Sequence, residues 1–168
     1  MKRLMLAVAL LTLFGSQGFA ANDSQKFTLT VAPTLTITAP ADVPKTHDTT
    51  DANQAFDPQN WAVTCNNGAG ATVAFSITTF SNGSAVRDSS LTVSVASSDQ
   101  ATANWQVTTV GAQSTDNVNS VNTATVNADS DGPGNATFTV NVTFIDSDYS
   151  VLPAGDYVAT VTGTLTAK

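Results

Sequence analysis

Few side chains in this sequence could do chemistry. His47 is the only histidine and Cys65 the only cysteine. A serine or cysteine nucleophile needs a base within hydrogen-bond reach, and His47 is the only imidazole that could serve. It lies in the polar run Lys45-Thr46-His47-Asp48 with no apolar flanks, so it is expected to be a solvated loop residue. Cys65 shares strand parity with Trp61 and Val63, which predicts a buried, inert thiol. The sequence holds no Gly-x-Ser-x-Gly elbow and no phosphate-cradling glycine loop. Paired carboxylates run glycoside hydrolysis, and Asp146 with Asp148, or Asp129 with Asp131, have the right residue type. Both pairs fall in turn-like segments, where Asp is expected for backbone reasons. No catalytic residue and no cofactor is therefore expected, and the chain reads as a non-enzyme.

Asn127-Ala128-Asp129-Ser130-Asp131-Gly132 matches the opening spacing of a calcium loop, with Asn127, Asp129 and Asp131 as oxygen ligands. The twelfth position would be Phe138, where a bidentate Glu is needed, so the match fails as an EF-hand. The metal expectation is none, and these three residues are the nearest approach to a calcium site. One cysteine excludes an intrachain disulfide and a multi-cysteine zinc site. Trp61, Trp105 and Tyr149 could form a sugar platform, but both tryptophans have Val neighbours at strand parity, so core packing is the expectation.

The elements that position these residues are strands. All 13 acidic residues are Asp, and charged residues are only 11% of the 168. Glu favours helices and Asp does not, while the abundant Thr and Val suit strands. Period-two alternation recurs at Phe27-Leu29-Val31, Leu35-Ile37, Trp61-Val63-Cys65, Val73-Phe75-Ile77 and Leu91-Val93-Val95. It returns at Trp105-Val107, Phe138-Val140-Val142-Phe144 and Tyr157-Ala159-Val161-Leu165. Turn signals such as Asn66-Asn67-Gly68, Ser81-Asn82-Gly83 and Pro153-Ala154-Gly155 separate the runs. Eight or nine short strands with polar alternate faces predict an all-β, Ig-like, two-sheet antiparallel sandwich. Segments 40–59 and 112–122 read as long surface loops.

Lys2 and Arg3, the apolar run Leu4–Phe14 and the small residues up to Ala20 have the layout of a secretory signal peptide, residues 1–20. Removing it leaves 4 basic residues against 13 acidic ones, a net charge of −9. That excess argues against nucleic acid or an anionic membrane surface as partner. Residues 21–33 form an N-terminal extension and 34–168 the sandwich.

The two ends carry a resemblance. Lys26-Phe27-Thr28-Leu29-Thr30-Val31-Ala32-Pro33 after the signal peptide, and Ala154-Gly155-Asp156-Tyr157 leading into the last strand, resemble pilin subunits of the chaperone–usher pathway. The likeness is greatest to the alpha-type fimbriae of the colonization-factor group, whose major subunits lack a disulfide. Ala167 departs from the pattern, because many pilins carry a penultimate tyrosine. The resemblance implies an incomplete sandwich, completed by the N-terminal strand of the next subunit in donor-strand exchange. Phe27, Leu29 and Val31 would be the donated side chains, and Tyr157, Val161 and Leu165 would line the acceptor groove. It further implies a homopolymeric surface fimbrium with a role in adhesion, exported with a periplasmic chaperone and an outer-membrane usher. A host glycan or surface receptor would be its target. The residues alone leave another reading open. Phe27–Val31 is equally the first strand of a complete sandwich, since Leu35 and Ile37 continue its parity. The chain would then be a stand-alone secreted module binding glycan or calcium.

Overall fold

The computed structural model describes residues 22–99 and 101–168. The signal peptide expected over residues 1–20 lies outside them. Residues 32–168 form one unit, and residues 22–31 belong to a separate one.

The larger unit is the all-β sandwich that the alternation predicts. Its strands are β1 (Leu35–Thr38), β2 (Gln54–Ala55), β3 (Gln59–Cys65), β4 (Ala71–Thr78), β5 (Phe80–Ser81), β6 (Val86–Ser98), β7 (Gln106–Val107), β8 (Gln113–Ser114), β9 (Thr123–Asp129), β10 (Gly134–Ile145) and β11 (Val161–Ala167). One sheet has the order β1-β3-β10-β6-β5, with β2 also on β10 and β8 also on β6. The other has the order β11-β4-β9-β7. Every ladder is antiparallel. Four strands lie outside the alternating runs: β2, β5 and β8 are two-residue pieces too short to show alternation, and β9 has only Ala124, Val126 and Ala128 on its apolar face and places Asp129, expected in a turn, at its end.

Side chains alternate across each strand, and the apolar parity meets between the sheets. Val73, Phe75 and Ile77 of β4 are 0–1% exposed, as are Val63, Leu91, Val126 and Phe138. Trp61 and Trp105 are buried, and each packs edge-on to a phenylalanine, Phe75 and Phe138 respectively. Cys65 is buried and free, as its parity predicts.

The long loops are more ordered than their composition suggests. Segment 40–59 contains β2 and the buried Gln54. Segment 112–122 contains β8 and the buried Thr115, whose hydroxyl accepts from the Ser89 N–H and donates to Asp88. His47 is not the solvated loop residue its polar neighbours imply. It is half-buried, its ring stacks on Tyr149 at 5.1 Å and meets Phe144 edge-on at 6.0 Å, and its Nδ1 accepts from the Thr49 N–H. The covering residues are about a hundred positions away in sequence, where no local pattern reveals them.

Candidate functional site

The site that matters is an edge. β1 and β11 each stand at one edge of their sheet, and among the described residues each pairs on one side only. β11 is a strand because Thr and Val alternate through Val161-Thr162-Gly163-Thr164-Leu165-Thr166. Its register on β4 runs from Val161 opposite Ile77 to Ala167 opposite Ala71. Lys168 secures the far end: its N–H donates to the Gly70 carbonyl, and its carbonyl accepts from the Asn67 side chain. Its Nζ donates to the Ser130 carbonyl and lies 3.6 Å from Asp129.

Opposite pairs in an antiparallel ladder alternate between bonded and non-bonded. The Thr78 N–H donates to the Thr160 carbonyl, and the Lys168 N–H to Gly70. Even-numbered residues of β11 therefore turn their backbone groups toward β4. Val161, Gly163, Leu165 and Ala167 turn theirs toward the free edge, an unpaired row of donors and acceptors of the kind that templates another strand.

The same odd-numbered residues face the core, where Val161 and Leu165 are only partly buried. At Gly163 the space is taken from the other sheet. A Cβ there would lie 2.5 Å from Ile37 Cδ1 and 2.9 Å from Trp61 Cζ3. Gly163 thus lets the edge of one sheet close onto β1 and β3 of the other. Residue order in β11 did not by itself point to this glycine, because its reason lies in two side chains more than a hundred residues earlier.

Val161 and Leu165, expected together, share this face. Tyr157 is placed elsewhere: its ring meets Phe144 edge-on at 5.5 Å and its hydroxyl donates to the Pro153 carbonyl. It joins a satellite aromatic cluster with Phe80, Phe56 and, through Phe144, His47. In the smaller unit, Phe27–Val31 has no assigned strand, and regular β structure begins at Leu35. Phe27, Leu29 and Val31 are 84%, 89% and 74% exposed.

The calcium candidates do not converge. Asn127 and Asp129 lie two residues apart on β9, where extended backbone separates successive same-face side chains instead of wrapping them round an ion. Asp129 lies beside the Lys168 ammonium, and Asp131 accepts from the Asn104 side chain. No group of three His, Cys or Asp side chains placed to hold a metal ion occurs among the described residues. Of the paired acids, Asp146 is buried and bonded to Arg87 Nε at 3.3 Å, whereas Asp148 caps the turn Tyr149–Val151 by accepting from the Ser150 N–H.

Two carboxylates are favoured in their charged form by neighbouring donors. Asp48 is held below the usual carboxylate range, first by the Thr50 hydroxyl and then by the Thr50 N–H, with Gln54 adding a bond of 2.7 Å. Asp116 is lowered in the same way by the Asn119 side chain and N–H.

Fold and edge together define an antiparallel β-sandwich with an unpaired, partly uncovered outer strand. No protein-family model, no curated protein and no solved structure matches this chain.

Proposed function

We propose that this chain is a structural, non-enzymatic subunit of a bacterial surface fibre. It assembles by donating residues 27–31 to the free edge of β11 in the next copy. The observation that carries this reading is the pairing of two unsatisfied features in one chain. β11 has an open row of backbone groups over half-covered apolar side chains, and Phe27, Leu29 and Val31 are an exposed alternating apolar segment. Burying three such side chains is worth about 1.5–3 kcal/mol each, or about 5–9 kcal/mol before ordering costs. Thr28 and Thr30 between them favour the extended chain and suit the solvent face. A contact of this kind is head-to-tail and does not close, so it propagates.

The resemblance to chaperone–usher pilins supplies the setting: export, a periplasmic chaperone, an outer-membrane usher and a role in adhesion at the cell surface. The deciding experiment is size-exclusion chromatography of the mature protein, with and without residues 21–32. A synthetic 21–32 peptide is then added to the truncated form. The expected result is polymers from the full mature chain and a labile truncated species stabilised by the peptide. A stable monomer that loses its fold on truncation, with no rescue by the peptide, would return Phe27–Val31 to its own sandwich.

A further inference from the structure

We propose that Gly163 sets the register of the donated strand: Leu29 of a second copy lies opposite Gly163, with Phe27 opposite Leu165 and Val31 opposite Val161. This rests on the strand-donation reading and makes it specific. Directly opposite residues of an antiparallel pair share a face. The three apolar donor residues then all point inward, beside the three inward residues of β11. Their backbone groups meet the row that Val161, Gly163 and Leu165 leave unpaired. Phe27 to Val31 spans the same four residue steps as Val161 to Leu165, so all three side chains find positions within the strand.

The neighbouring registers lose something. Shifted two residues one way, Val31 falls opposite Ala159, beyond the start of β11. Shifted the other way, Pro33 falls opposite Val161 and has no N–H for its open carbonyl. In the free subunit Ile37 leans over Gly163. Its Cδ1 is the end of a rotatable side chain, whereas Trp61 is held edge-on against Phe75 at 5.5 Å. Ile37 is therefore the group that yields, and Leu29 takes its place over Trp61.

Polarity follows from where the extension starts. Asn66 fixes Ala32 and Thr34: its Nδ2 donates to the Ala32 carbonyl at 2.8 Å and its Oδ1 accepts from the Thr34 N–H. Leu35 pairs with Cys65 at this same end, where Ala167 meets Ala71. Every copy thus has Ala32 at the Asn66 end, and Val161 lies at the opposite end. An antiparallel strand with Val31 at Val161 belongs to another copy, and it joins the Asn66 end of the donor to the far end of the acceptor. That arrangement repeats indefinitely. A parallel strand would bring two Asn66 ends together and favour a closed two-fold dimer.

The test is disulfide trapping in the mature full chain. Thr162 and Thr164 are exposed and face outward with Thr28 and Thr30 in this register. Two double variants, T28C/T164C and T28C/T162C, are oxidised mildly and run without reductant, beside the unmodified chain, whose Cys65 is buried. The expected result is a ladder of covalent multimers from T28C/T164C and none from T28C/T162C. From T28C/T162C alone, covalent dimers would overturn the register in favour of a parallel strand, and a ladder of multimers would overturn it in favour of the antiparallel register that sets Val31 opposite Ala159. Multimers that chromatograph as polymers yet trap with neither pair would overturn it while leaving strand donation standing. A monomeric mature chain would overturn both.

Discussion

β4 and β11 are neighbours in one sheet, with the same alternation and the same face toward the core. Yet Val73, Phe75 and Ile77 of β4 are sealed, and Val161 and Leu165 of β11 are not. The difference is position. β4 has a strand hydrogen-bonded on each side, whereas β11 has β4 on one side and, among the described residues, no paired strand on the other. Two strands with one pattern can therefore differ in cover: one is sealed within the core, and the other leaves its inner face partly uncovered. The break between the two is the point at which substitutions should differ.

The largest effect is expected at the sealed strand. Phe75 touches Trp61 and Phe138 at ring separations of 5.5 and 5.4 Å. Phe75→Ala should cost about 3–5 kcal/mol of stability, measured by urea unfolding, because the cavity has no side on which to collapse. Loss of that magnitude consumes much of the margin of an ordinary domain. A cost near that of a surface substitution would mean the core is not centred on β4.

The comparison sharpens when residue type is held constant. Leu91→Ala, in the fully buried centre of β6, is expected to cost about 2–5 kcal/mol. Leu165→Ala, half-covered on β11, should cost about 1–2 kcal/mol in the truncated subunit. With the 21–32 peptide bound, the cost at Leu165 should rise toward that at Leu91. Equal costs without the peptide would mean that the edge is already sealed.

How much of this was legible in the residues follows the same line. Alternation revealed the sandwich and its longer strands apart from β9, together with the buried Cys65 and the inward tryptophans, because parity is a local property. It could not distinguish an edge strand from a central one, since β4 and β11 read alike. It also missed whatever depends on distant partners. His47 looks solvated until Phe144 and Tyr149 fold over it, and Tyr157 shares parity with Val161 yet packs with Phe144. Phe27–Val31 reads as a strand from its pattern, but a strand needs a neighbour, and that segment has no assigned ladder in the single chain.

Gly163→Ala is expected to act on the seam with a smaller effect than the buried substitutions. The new methyl group meets Ile37 Cδ1, which can rotate, and Trp61, which cannot readily do so. A cost of about 1–3 kcal/mol is the usual range for overpacking. The Ile37→Ala/Gly163→Ala double variant should recover part of it, as contacting residues are non-additive. Full additivity in a double-mutant cycle would mean that Ile37 is not what fills the space above Gly163.

The smallest effect concerns a loop far from that seam. Asp48 is fully exposed, and its lowered pKa comes from bonds donated by Thr50 and Gln54. A carboxylate whose pKa is lower when folded stabilises the fold above its ordinary value, near 3.9, and loses that contribution as pH falls through the folded value. Asp116 acts in the same direction. Stability should therefore fall below about pH 4, and Asp48→Asn should lower the midpoint slightly at pH 7 while converging on the unmodified chain at pH 2.5, so that part of the acid dependence is lost. Thermal midpoints of both forms between pH 7 and pH 2.5 would check this. An unchanged acid slope in the variant would show that Gln54 and Thr50 hold the loop in place without the charge.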